Sequence, residues 1–195
     1  MIHPHTELRL VNETIGLGVF ATTFIPKGTI VYVIDPLELM VTPQQYAQYP
    51  ELLKKVVDKY SYIEANRNRI VSWDSAKYVN HCCDGKSMSC GYGFELAIRD
   101  IQAGEEITDE YGMFNMDCEM DLHCTSKNCR KKLKRDDLDL YHADWDQKVR
   151  SALQLLFKVE QPLLPLVDND TLQQLQALDL SSEHYRSVLE LKCKD

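Results

Sequence analysis

Lys77-Tyr78-Val79-Asn80-His81-Cys82-Cys83-Asp84 is the stretch on which the reading of this chain turns. Asn80 and His81 supply side-chain donors and acceptors able to hold a polar ligand. A Cys beside a His invites a thiol nucleophile. However, neighbours on a strand point to opposite faces, so adjacency does not set His81 against Cys82, and a hydrolase is not supported. The chemistry has to come from residues brought in from elsewhere.

On the N-terminal side lies Gly16-Leu17-Gly18-Val19-Phe20-Ala21. Two glycines one residue apart let backbone approach a ligand closely, although a tight turn between strands explains them equally well. On the C-terminal side lies Gly104-Glu105-Glu106-Ile107-Thr108-Asp109-Glu110-Tyr111-Gly112, which by itself reads as a strand end with a packed aromatic. Further on, Cys118, Cys124 and Cys129 could supply three ligands of a tetrahedral zinc site.

Taken together and in this order, these stretches resemble a SET-domain lysine methyltransferase with a post-SET zinc segment. Gly16–Ala21 followed by Ile25-Pro26-Lys27-Gly28 resembles the opening of that domain. Residues 77–83 resemble its Arg-Phe-Ile-Asn-His-Ser-Cys signature, and residues 104–111 its Gly-Glu-Glu-Leu-Thr-Tyr-Asp-Tyr signature. Cys124 to Cys129 with Arg130 resembles the end of its Cys-x-Cys-x4-Cys tail.

The resemblance covers residues 8–133 and implies a mostly β fold with helical additions, a knot-like β-clip with a C-terminal helical tail. It divides the chain into a SET domain at 1–116 with a helical insert at about 42–60, a post-SET cysteine segment at 117–133 and a helical extension at 134–195. It implies methyl transfer from S-adenosylmethionine to a lysine amine of a protein or peptide substrate, a histone tail among the candidates. Gly16, Leu17, Gly18, Asn80, His81 and Tyr111 would hold the cofactor. Tyr111 would be the catalytic hydroxyl that orients the amine. Cys83, Cys124 and Cys129 would bind a structural zinc, with Cys118 as the nearest fourth ligand and His123 or Cys90 as fallbacks. The alternative is a SET-like module that binds a peptide without turnover.

Three departures bear on this. Leu122 stands where the tail's first cysteine belongs. Asp109 stands where the family has Tyr or Phe, and a carboxylate beside the substrate stabilises the ammonium, the wrong direction for chemistry. Cys82 replaces Ser, and Lys77 replaces Arg without its planar fork.

The rest of the chain is consistent with this frame. Thr29–Ile34 is β-branched and aromatic, as a strand requires. Thr42-Pro43-x-Gln45 has the form of a capping box opening a helix. From Trp145, Val149, Leu153, Leu156 and Phe157 recur at helical spacing; Pro162 stops that helix, Asp170 is set to cap the next, and Ser181 or Ser182 the last. The narrow apolar face of this tail predicts packing against the SET core. No βαβ alternation appears, which disfavours a Rossmann fold. The net charge of -8 opposes direct nucleic-acid binding and suits a basic partner. No apolar run approaches the ~20 residues of a membrane span, and no signal peptide is visible, so an intracellular protein of cytoplasm or nucleus is expected.

Overall fold

The computed structural model describes residues 1–124, 126–179 and 184–194. Strands β1 (Thr6–Asn12) and β2 (Gly16–Ala21) form a hairpin. β3 (Ile30–Val33) and β4 (Leu39–Val41) follow. Helix α1 (Pro43–Gln48) starts where the Thr42 side chain accepts from the Gln45 amide and the Gln45 side chain accepts from the Thr42 amide. Helix α2 (Glu51–Tyr60), entered through Pro50, leads into β5 (Ser61–Ile63) and β6 (Arg69–Val71). The short β7 (Asn80–His81) precedes β8 (Ser87–Ser89), β9 (Phe94–Ala97) and β10 (Glu106–Asp109). The ribbon β11 (Met120–Asp121) and β12 (Lys132–Leu133) and the helices α3 (Asp137–Leu153) and α4 (Asn169–Ala177) complete the chain.

Three small sheets, ordered β1-β2-β10-β7, β3-β9-β8 and β4-β6-β5, carry the architecture. β10 is the strand that positions the site. It runs antiparallel to β2, with Ile107 opposite Val19, and parallel to β7, with Thr108 opposite Asn80 and Asp109 opposite His81. Strands drawn from residues 16–21, 80–81 and 106–109 therefore lie side by side.

The helical tail packs on this frame. Trp145, Val149, Ala152 and Leu153 of α3 are buried in one cluster with Ile30, Met88 and Leu96 from the sheets and Met113 from the turn after β10. Exposing a side chain of this size would cost about 1.5–3 kcal/mol, which fixes α3 in place. α3 starts at Asp137, before the apolar recurrence from Trp145 becomes visible, because its first turns are acidic and their contribution is to the helix dipole. The cap of α4 is Asp168, whose side chain accepts from the Thr171 amide at 2.9 Å, and not Asp170, which lies inside the helix. The expected caps Ser181 and Ser182 lie outside the described residues. No helix among the described residues is long and apolar enough to cross a membrane.

Candidate active site

The parallel pairing of β7 with β10 presents Asn80 toward β2. Its side-chain amide donates to the Leu17 carbonyl at 3.0 Å and to Glu106 Oε1 at 2.8 Å. This approach requires Gly18: a Cβ there would overlap the Glu106 carboxylate and sit 3.0 Å from Asn80 Nδ2. Gly16 takes a φ of +86°, a conformation L side chains rarely adopt. The two glycines thus have separate structural duties, one steric and one conformational.

His81 bridges two segments. Its Nδ1 accepts the Tyr111 amide N–H at 3.1 Å, and its ring centre lies 5.5 Å from that of Tyr111. Burial lowers its pKa, with Glu110 opposing. With Nδ1 accepting, the proton of the neutral ring sits on Nε2, which then donates to Cys83 Sγ at 3.2 Å. Gly16, Leu17, Gly18, Asn80, His81 and Tyr111 are thereby linked through one continuous set of contacts.

Tyr111 lines a cavity of about 720 Å³ together with Tyr32, Tyr62, Glu95, Asp109 and Phe114. Its hydroxyl donates to the Val79 carbonyl. Burial, then the neighbouring Asp109, Glu95 and Glu106, push its pKa up, so the hydroxyl stays protonated. Asp109 does not reach into solvent as a free carboxylate. It is 1% exposed, and its Oδ1 accepts the Glu110 amide at 2.7 Å. Burial, then Glu95, raises its pKa, and it shares a hydrogen bond with Glu95. Burial and Glu95 thus push Asp109 toward its neutral form.

Behind Tyr111, Glu110 is wholly buried and receives Arg130 in a two-pronged pair at 2.8 and 2.6 Å. Arg130 also lies over the rings of Tyr141 and Trp145 on α3. It therefore ties the cysteine segment both to the Tyr111 strand and to the tail.

The thiols gather around Cys124. Nε2 of His81, Sγ of Cys83 and Sγ of Cys124 lie within 4.8 Å of one another. The Cys124 thiol also interacts with those of Cys129 and Cys82. Burial opposes ionisation of Cys124, but backbone hydrogen bonds from Cys83 and Ser126 and the Cys129 thiol lower its pKa overall. The group that could hold a metal ion is thus His81, Cys83 and Cys124; of the expected thiol ligands Cys83 and Cys124 belong to it, and Cys129 reaches only the Cys124 thiol. The fourth expected ligand, Cys118, is exposed and stands outside this group of described residues. Of the fallbacks, Cys90 is buried in the core with its thiol donating to the Phe94 carbonyl, and His123 is exposed.

Sequence reasoning missed Glu95, Glu106, Arg130 and the tyrosines at 32 and 62. Glu95 left one signal: a carboxylate inside the apolar run Phe94-Glu95-Leu96-Ala97. All four residues of that run are buried.

A family model, that of the SET domain, matches residues 16–112. The chain is 32% identical over 132 residues to the variant-silencing SET domain-containing protein of Plasmodium falciparum. That match takes in 60% of this chain and 5% of the relative, so it spans a small part of that protein. Among solved structures, KRYPTONITE in complex with mCHG DNA and SAH is similar at 20% identity and a TM-score of 0.48, over 66% of this chain and 29% of that one. A candidate histone methyltransferase of Plasmodium falciparum is similar at 17% identity and a TM-score of 0.42, over 56% of this chain and 95% of that one. With the motifs of residues 16–18, 80–81 and 104–111 inside the matched region, this chain belongs, through residues 16–112, to the SET-domain family.

Proposed function

We propose that this protein transfers a methyl group from S-adenosylmethionine to the side-chain amine of a lysine in a protein substrate. The observation that carries the reading is that hydrogen bonds join Asn80 to the Gly16–Gly18 strand and His81 to Tyr111, and that Tyr111 lines the cavity. S-adenosylmethionine would supply a methyl group already activated on a sulfonium. The chain's own residues then have to bind, orient and exclude water. Gly16, Leu17 and Gly18 would offer backbone, and Asn80 and His81 would brace it. Tyr111, held protonated, would orient the amine with its hydroxyl oxygen, and orientation of this kind supplies several kcal/mol.

On this reading residues 1–116 form the catalytic domain, 117–133 a cysteine segment over it and 134–195 a helical buttress. Cys83, Cys124 and Cys129 would hold a structural zinc that fixes the cysteine segment. The substrate is a basic protein, a histone tail among the candidates, which the net charge of -8 favours. The reaction belongs in the cytoplasm or nucleus.

The test is incubation with labelled S-adenosylmethionine and a library of lysine peptides, with Tyr111→Phe alongside. The expected outcome is label on lysine, reduced about 100-fold in the variant. Cofactor binding without labelled lysine would replace this reading with a peptide-binding module.

A further inference from the structure

We propose that Glu95 and Asp109 together form the proton acceptor for the target amine, an inference that rests on the methyl-transfer reading above. Both side chains line the same cavity as Tyr111. Glu95 is 8% exposed and Asp109 1%. Glu95 comes from β9 and Asp109 from β10, so two separate elements bring the carboxyls together.

Their partners are few. Asp109 Oδ1 takes the Glu110 amide, while Oδ2 is buried without a nitrogen or hydroxyl donor among the described residues. Glu95 adjoins Asp109, and the neighbouring Ser87 hydroxyl donates to the Thr108 carbonyl at 3.3 Å. Neither carboxyl is in an ion pair with a lysine or arginine among the described residues. The groups facing them are the hydroxyls of Tyr32, Tyr62 and Tyr111, and the carboxyls of Glu38, Glu106 and Glu110. The amino terminus of Met1 contributes at longer range and is itself bound to Asp35 and Glu38.

Two adjoining carboxyls in such surroundings cannot both be ionised. They share one proton and carry one negative charge: Asp109 donates to Glu95. Burial pushes Glu95 up to about 7, which makes it a far stronger base than an ordinary carboxylate. Lys59, Arg69 and Lys77 also line the cavity, but Arg69 pairs with Asp58 and Asp117, and Lys77 donates to the Trp73 carbonyl. A single buried charge that none of them pairs with is a site for an incoming cation. A lysine enters as an ammonium, and there one N–H bond breaks while an O–H bond forms on Glu95. The nitrogen keeps the electron pair that would form the new N–C bond, while the S–CH3 bond of S-adenosylmethionine would break with its electrons going to sulfur, leaving the neutral thioether. The pair, now neutral, no longer attracts the methylated ammonium. Its extra proton leaves to solvent once the cavity reopens.

The measurement is kcat against pH for the parent, for Asp109→Asn and for Glu95→Gln/Asp109→Asn, with cofactor affinity as the check on folding. For the double variant, kcat at pH 7 is expected to fall about 100-fold, the usual share of a general base. It should climb with pH toward the ~10.4 of a free lysine, because the amine must then arrive already neutral. Asp109→Asn should also move the acid limb to higher pH, but by less, because Glu95 loses the carboxyl hydrogen bond that lowers its pKa, and kcat on the plateau should drop. A limb that moves in graded steps through the two variants, with kcat recovering at high pH, is not what a packing defect produces. A double variant with the parent's kcat and profile would overturn the inference. Should the double variant not fold, an unshifted limb in Asp109→Asn does the same. A parent that labels no lysine at any pH instead removes the methyl-transfer reading, and this inference with it.

Discussion

At the scale of single residues, Gly18 is where the smallest change is expected to reach the site. A methyl group there would collide with the Glu106 carboxylate, lie 2.7 Å from Val11 Cγ2 and crowd Asn80 Nδ2. Glu106 is the easiest to displace, being a flexible side chain, but it is also the acceptor that aims Asn80. Gly18→Ala should therefore fold and yet release Asn80. Losing one part-buried, charge-assisted hydrogen bond costs roughly 1.5 kcal/mol, about a tenfold change in an equilibrium constant. Calorimetry with S-adenosylmethionine is the measurement: the Kd should rise about tenfold. An unchanged Kd would mean that Asn80 does not hold the cofactor.

At the scale of elements, the cysteine segment is held by a buried ion pair as well as by its thiols. Removing Arg130 strands Glu110, which is wholly buried and among the described residues otherwise accepts only the Gly112 amide. Breaking one side of such a pair costs about 3–5 kcal/mol, whereas replacing both sides by neutral groups costs far less. Arg130→Met should thus lower unfolding stability by that amount in urea titrations, and Glu110→Gln/Arg130→Met should recover most of the loss. Equal losses in the two variants would show that Arg130 matters through its stacking on Tyr141 and Trp145 and not through its charge. None of this was visible in the sequence. Arg130-Lys131-Lys132-Leu133-Lys134-Arg135 reads as a solvated basic run, and nothing local distinguishes its first member. The motifs at 16–18, 80–81 and 104–111 were legible because each is short, contiguous and ordered along the chain. Glu95 was not, because its meaning depends on β9 and β10 bringing it to Asp109. Asp109 itself was read as a departure, and only its partner explains how it is tolerated.

At the scale of the whole molecule, the cavity beside Tyr111 adjoins a second one walled in part by the C-terminal segment, and Asn115 lines both. Its Nδ2 donates to the Ile63 carbonyl on β5 at 3.0 Å and to the Leu191 carbonyl at 2.8 Å, while its Oδ1 accepts the Cys193 amide at 2.7 Å. The adjoining cavity has a volume of about 400 Å³, and its walls include Arg67, Lys192 and Cys193. The insert that carries α1 and α2 is thus fastened to the C-terminal segment through one amide, with Lys194 donating to the Ala65 carbonyl as a second tie. An amide that satisfies three backbone groups contributes about 1 kcal/mol per bond. Asn115→Ala should loosen this wall without touching Tyr111, His81 or Asn80. The expected split is a peptide KM raised several-fold, about the factor that 1–2 kcal/mol of lost ordering gives, with kcat within about twofold of the parent. A fall in kcat at unchanged KM would mean that Asn115 acts on the reacting groups and that the wall is rigid without it.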